Sequence, residues 1–159
     1  MNEVRMRPAT EKDRELVYVW ANDPLTRAMS FRQDPITRDQ HVLWFEKALM
    51  EKGVTLLIAE RLVDGHWVPC GNVRFDGEGE IHVLVAPEHR HQGLAALLIS
   101  AALRYAGDRL SLDRVTAHIK EENDASIRAF EKAGFLFVRK TAVRDEPCLE
   151  YACVVQKKS

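Results

Sequence analysis

Between Ile81 and Leu98 the chain reads IHVLVAPEHRHQGLAALL, and this stretch holds the residue types of an anion cradle. A β-prone run ends at Val85. A basic turn follows, Arg90-His91-Gln92-Gly93-Leu94-Ala95, and apolar residues then recur at helical spacing. The first turn of a helix leaves N–H groups unpaired, and the helix dipole adds partial positive charge there. A phosphate at that point is held by main chain. Gly93 has no side chain to keep it away, and Ala95 has little. No Gly-Lys-Ser/Thr closes the turn, so it is not a P-loop. The G-x-G of a dinucleotide fingerprint is also missing.

A second segment adds to the first. The Arg-x-x-Gly-x-Ala turn, placed after Val85-Ala86-Pro87, resembles motif A of the GNAT acetyltransferases, whose pattern is Arg/Gln-x-x-Gly-x-Gly/Ala. The later run NDASIRAFEKAGF, which opens at Asn123, resembles their motif B. The likeness extends to the order of elements over nearly the whole chain. It implies an acetyl-CoA-dependent N-acetyltransferase that moves the acetyl group directly to a primary amine, with no metal. Main-chain N–H groups of His91, Gln92, Gly93, Leu94, Ala95 and Ala96 are then expected to hold the pyrophosphate beside Arg90. The main chain of Val83 and Val85 is expected to pair with the pantetheine arm. An N–H near Val85 or Ala86 is expected to polarise the thioester carbonyl. Asn123 would touch the cofactor near its sulfur, with Ser126 as a further hydrogen-bond donor.

One residue departs from the pattern. Many relatives place a tyrosine in motif B that protonates the leaving sulfur, and here that position is Phe130. Tyr151 is the substitute considered for this task, while Tyr105 falls on an apolar helix face. Direct transfer needs no nucleophile, so Cys70, Cys148 and Cys153 are read as plain thiols. For the base, Glu80 and His82 share one face of the strand before the turn. Either could take the amine's proton, and histidine titrates in the useful range. Equally, Glu80 could be solvated at a turn and His82 could simply bond beside a neighbouring strand.

The N-terminal third should shape the acceptor pocket. Asn22, Asp23, Arg27, Ser30, Phe31, His41, Trp44, Phe45 and Arg74 sit in segments similar to GNAT enzymes that acetylate amino sugars on nucleotide carriers, as in the pseudaminic-acid pathway. Phe31 and Trp44 supply aromatic faces for a base or ring, and Arg27 and Arg74 supply cations for a diphosphate. Aromatic residues at helical spacing also suit a core. Two alternatives stand beside this acceptor. The motif B wording also resembles ribosomal-protein acetyltransferases, which points to a protein N-terminus or another amine. The missing tyrosine fits a non-catalytic acyl-CoA-binding module.

These residues need a frame to position them. Strands are expected over 4–7, 55–62, 67–75, 80–85, 114–119, 135–143 and 149–155. Helices are expected from the Thr10 cap to Ala21, from the Thr37/Gln40 capping box to Glu51, from Gly93 to Gly107, and from Asn123 to Gly134. Residues 25–35 read as a loop. The order β-α-α-β-β-β-α-β-α-β-β predicts an α/β (α+β) fold: a mixed, mostly antiparallel sheet of six to seven strands flanked by about four helices. The resemblance implies a splay between the fourth and fifth strands. One domain is expected over 1–159.

Composition bounds the rest. The 159 residues are 46% hydrophobic and 30% charged, with a net charge of −1, which speaks against a nucleic-acid-binding role. Three cysteines make no paired disulfide framework. No run reaches the roughly 18 apolar residues of a membrane span. The start MNEVRMRPAT lacks the apolar stretch of a secretory signal, so the cytoplasm is the expected compartment. The expected partner is a small-molecule amine, and the resemblance also admits a homodimer.

Overall fold

The computed structural model describes residues 3–156. Strand β1 (Val4–Pro8) leads into a 3-10 turn (Glu11–Asp13), then α1 (Arg14–Ala21), α2 (Pro24–Met29) and α3 (Arg38–Met50). Strands β2 (Thr55–Val63), β3 (His66–Phe75) and β4 (Ile81–Val85) follow, then a 3-10 turn (Pro87–His89) and α4 (Leu94–Arg109). Strand β5 (Arg114–Lys120), α5 (Asp124–Lys132), β6 (Leu136–Val143) and β7 (Glu146–Val154) complete the order.

Local chemistry accounts for the helix starts. The Thr10 N–H donates to Asp13 Oδ2 at 2.9 Å, and Arg7 grips both Asp13 oxygens at 2.8 and 2.9 Å. Thr37 and Gln40 cap α3 reciprocally. Residues 24–29, read as loop, are helical instead. Asp23 accepts from the Thr26 N–H at 3.1 Å, and Pro24 occupies the first helical position, where its missing N–H costs nothing.

The strands form two antiparallel sheets, ordered β1-β2-β3-β4 and β5-β7-β6. Among the described residues one parallel bridge joins them, Glu80 beside Thr116, with the Thr116 N–H on Gly79 O at 3.0 Å. Past that bridge β4 and β5 do not pair, so the architecture is the mixed fold with the splay at the fourth and fifth strands. Alternation sends Leu57, Val73, Phe75 and Ile81 to one face, where Ile99, Ala102 and Ala106 of α4 meet them. Val115, Ala117, Ile119, Phe130, Phe135 and Tyr151 extend that core under the second sheet. On the opposite face Val17, Phe45 and Ala48 cover Leu56 and Ile58.

Several boundaries differ from the sequence expectation. Helix α4 passes through Gly107 to Arg109; a Cβ there would lie 2.1 Å from Gln156 O, so the glycine admits a close backbone approach rather than ending the helix. Strand β7 starts at Glu146 because Arg144 and Asp145, at φ 52° and 63°, make a tight turn without glycine. Strands β4 and β6 each begin one residue later than expected, at Ile81 and Leu136.

Candidate active site

The turn before α4 is built from two left-handed residues, His91 at φ 61° and Gly93 at φ 71°. Such conformations make the concave runs of N–H groups that bind anions. A Cβ on Gly93 would meet nothing within 4 Å, so the space over the glycine is open. Leu94, only 2% exposed, packs with Leu98, Ala59 and Cys70 and anchors the helix start. Ala95 and Ala96 are half-buried, while His91, Gln92 and Gly93 are exposed.

The side chains of this turn already have partners. Arg90 Nη2 donates to Asp23 Oδ2 at 2.6 Å and to Thr26 Oγ1 at 2.9 Å. Arg61 Nη1 donates to Gln92 Oε1. Gln92 was expected to offer its main-chain N–H; the Arg90 and Gln92 side chains hold the turn to α2 and β2. What the turn offers outward is main chain.

Strand β4 adds a second run of main chain. The Ala86 N–H donates to Cys70 O at 2.8 Å, and the Asp76 N–H donates to Glu80 O at 3.0 Å. Hydrogen-bonded pairs alternate along an antiparallel ladder. The pairs Leu84–Asn72 and His82–Arg74 therefore bond to β3, and Val83 and Val85 turn their N–H and C=O groups toward the gap with β5. Ala86 is thereby removed as a free donor, and the Val85 N–H is left. Asn123 accepts from the Ser126 N–H at 3.2 Å and so caps α5. Phe130 is 5% exposed and stacks edge-on with Phe135 at 4.9 Å, well inside the core.

The face of the sheets that α1 and α3 cover carries the titratable groups. Glu80 Oε2 lies 3.3 Å from His82 Nε2, and Glu80 Oε1 lies 3.3 Å from His118 Nδ1. His118 Nε2 lies 3.3 Å from Glu150 Oε1. The His82 side chain keeps 43% of its surface open. Even so, desolvation by its surroundings, followed by the Arg74 charge, pushes its pKa down to about 4. It is a neutral base near pH 7. Arg74 itself is half-buried and makes no hydrogen bond among the described residues. Asp76 accepts from the Glu78 and Glu80 N–H groups at 2.9 and 3.0 Å and shapes the turn ahead of β4.

Tyr151 is not brought to this group. It follows Glu150 on β7 and so points to the opposite face. It is 4% exposed, and its hydroxyl donates to Glu131 Oε2 at 3.2 Å. Burial and then the Glu131 charge raise its pKa.

The residues read as acceptor ligands divide. Arg27 donates to Ala21 O at 2.7 Å, Arg32 O at 2.8 Å and Ser30 Oγ at 3.3 Å, so it ties together the segment after α2. Ser30 donates to Thr26 O at 2.6 Å. His41 is 3% exposed; its Nε2–H donates to Arg14 O at 2.9 Å, and burial lowers its pKa. Local carbonyls engage all three, which were expected to face an acceptor. Phe31 is half-buried, and Trp44 keeps 40% exposure against His41 and Phe45. Arg74 alone of the set joins Glu80 and His82.

Sequence reasoning passed over His118, Glu150 and Lys120. Lys120 is 1% exposed, with Nζ 3.2 Å from Ala28 O and 3.5 Å from Glu146. The signal was the polar face Thr116, His118 and Lys120, alternating with Val115, Ala117 and Ile119.

Comparison with known proteins bears on the family and the fold. The sequence pattern of the acetyltransferase (GNAT) domain matches residues 3–136. A mycothiol acetyltransferase of Stackebrandtia nassauensis is 42% identical over 86 residues, which is 50% of this chain and 28% of that protein. The chain thus spans about a third or less of the length of such relatives. A spermidine N-acetyltransferase of Vibrio cholerae, solved with CoA and spermine, superposes with a TM-score of 0.82 at 19% identity, covering 96% of this chain and 95% of that one. The aminoglycoside acetyltransferase AAC(6')-Ib, solved with ribostamycin and coenzyme A, gives 0.79 at 20% identity over 96% and 93%. At these identities the likeness is one of fold.

Proposed function

The chain belongs to the acetyltransferase (GNAT) domain family, and from that premise we propose that it is an acetyl-CoA-dependent N-acetyltransferase acting on a small primary amine. The observation that carries this reading is the open left-handed turn at Gly93, set at the head of a gap whose β4 edge presents main chain at Val83 and Val85. When bound, acetyl-CoA supplies the activated acetyl thioester. The amides of residues 91–96 would hold its diphosphate, and the main chain of Val83 and Val85 would line up its arm. The Val85 N–H, not bonded to β3, would be the donor to the thioester carbonyl. Glu80 and His82 take the proton that the amine must lose before it attacks. Phe130 and Tyr151 take no part in this chemistry.

The acceptor we infer carries a cationic amine, as polyamines and aminoglycosides do. Glu80 and Asp76 give the cleft face carboxylates that an ammonium group can approach. The proteins of similar fold that were solved with spermine and with ribostamycin hold ligands of this kind. A nucleotide-linked amino sugar needs cations for its diphosphate. Of the two arginines read for that task, Arg27 is engaged by local carbonyls and only Arg74 is left.

Thiol release from acetyl-CoA tests the proposal across spermidine, ribostamycin, a UDP-linked amino sugar and a peptide with a free N-terminus. Turnover on the first two, lost in Glu80→Gln, is expected. Turnover on the peptide alone would move the acceptor to proteins. Cofactor binding without turnover on any amine would leave a binding module.

A further inference from the structure

Resting on that reading, we propose that His118 and Glu150 are positioning residues that lead the acceptor's proton from Glu80 across the second sheet to solvent. Register places them for this. His118 of β5 lies opposite Glu150 of β7, and Glu150 lies opposite Arg139 of β6. The parallel bridge at Glu80 and Thr116 brings β4 to the near end of the row. The result is one line of side chains on one face: His82, Glu80, His118, Glu150, Arg139, with 3.3 Å at every step. Exposure falls along it, from 43% at His82 through 26% at Glu80 and 19% at His118 to 12% at Glu150, and opens again at Arg139, 66% exposed.

A mere brace between strands would not need this arrangement. His118 turns a different ring nitrogen to each of two carboxylates. Its Nε2 is hydrogen-bonded to Glu150, while its buried Nδ1 makes no hydrogen bond even though Glu80 Oε1 is 3.3 Å away. His118 thus stands between two carboxylates, one at each ring nitrogen. The steps balance as follows. An N–H bond of the acceptor's ammonium breaks and an O–H bond forms on Glu80. That O–H breaks as Nδ1–H forms on His118, and the Nε2–H passes to Glu150. Glu150 releases the proton to water beside Arg139, and water takes the proton from Nδ1 and returns one to Nε2, which restores the first tautomer. The amine and all intermediates remain at one oxidation state, and no further reactant is needed. The titratable and charged groups around His118 are Glu80 and the neutral His82 of β4, Arg74 of β3 beyond them, Glu150 of β7, Arg139 of β6, and Lys120 on the same face of β5.

Two readouts test the relay. In protein with 15N-labelled imidazoles and no acceptor, Glu80→Gln and Glu150→Gln should each displace the His118 titration and its tautomer shifts. Identical His118 curves in wild type and both variants would overturn the relay. With the best amine of the panel, His118→Gln should lower kcat by about tenfold or more and leave the KM for acetyl-CoA within about twofold. Imidazole added to His118→Gly should restore turnover. A kcat loss that imidazole does not rescue, accompanied by a lower melting temperature, would make His118 a structural brace. Loss of rate in Glu80→Gln with normal rates in both His118→Gln and Glu150→Gln would overturn the relay and leave Glu80 as the base. Normal rates in all three would overturn both.

Discussion

His82 shows how one side chain links stability to chemistry. In the folded protein, desolvation and then Arg74 hold its pKa at about 4, against 6.5 for an ordinary imidazole. Between those values the unfolded chain takes up a proton that the native site refuses. The contribution of His82 is therefore fully favourable above pH 6.5, declines as pH falls toward 4, and levels off below that. His82→Gln should lose less stability than wild type over this interval, as read from urea midpoints at each pH; parallel curves would contradict the assignment. The same neutrality lets His82 accept a proton at pH 7. The face shared by Glu80 and His82 was legible from strand alternation alone. His118 was legible only as a polar position alternating along β5; its meeting with Glu80 and Glu150 comes from cross-strand register, which no local pattern encodes. Arg27 was legible as a cation, but the carbonyls that surround it come from a segment that folds back on itself.

Two glycines of helix α4's neighbourhood look alike in sequence and differ in consequence. Gly93 is left-handed with open space above it, so Gly93→Ala should cost only the conformational penalty, roughly 1–2 kcal/mol. Gly107 meets Gln156 O at 2.1 Å from a hypothetical Cβ, so Gly107→Ala must push the chain end aside, at roughly 1–3 kcal/mol. Cofactor affinity separates them: Gly93→Glu should abolish acetyl-CoA binding, and Gly107→Ala should leave it near wild type by calorimetry. The helix head was readable because glycine, basic turn and apolar period coincide. The helix tail was not, since glycine signals a stop unless a distant strand end lies against it. Helix α2 was missed for a related reason. Asn22-Asp23-Pro24 reads as a breaker, but the same letters cap a new helix when Asp23 accepts from Thr26 and holds Arg90.

Among the described residues the two sheets touch at one bridge and share one core behind the gap. On the proposed placement, acetyl-CoA would touch both halves and bind only the folded state. At one hundred times its Kd, acetyl-CoA should therefore stabilise the protein by about 2.7 kcal/mol, seen as a rise in melting temperature. Arg90→Ala should weaken the link between the anion turn and α2, which would raise the acceptor KM more than it changes cofactor affinity. The architecture followed from element order, and the splay from resemblance; the acceptor did not follow, because its walls are segments whose side chains bond mostly to one another. The most direct test of the account is an amide NMR titration with acetyl-CoA. Saturable shifts should concentrate at residues 91–96, with Val83 and Val85 responding in step. A native spectrum that does not move, or one that moves elsewhere while the turn stays still, would contradict the placement on which every other step depends.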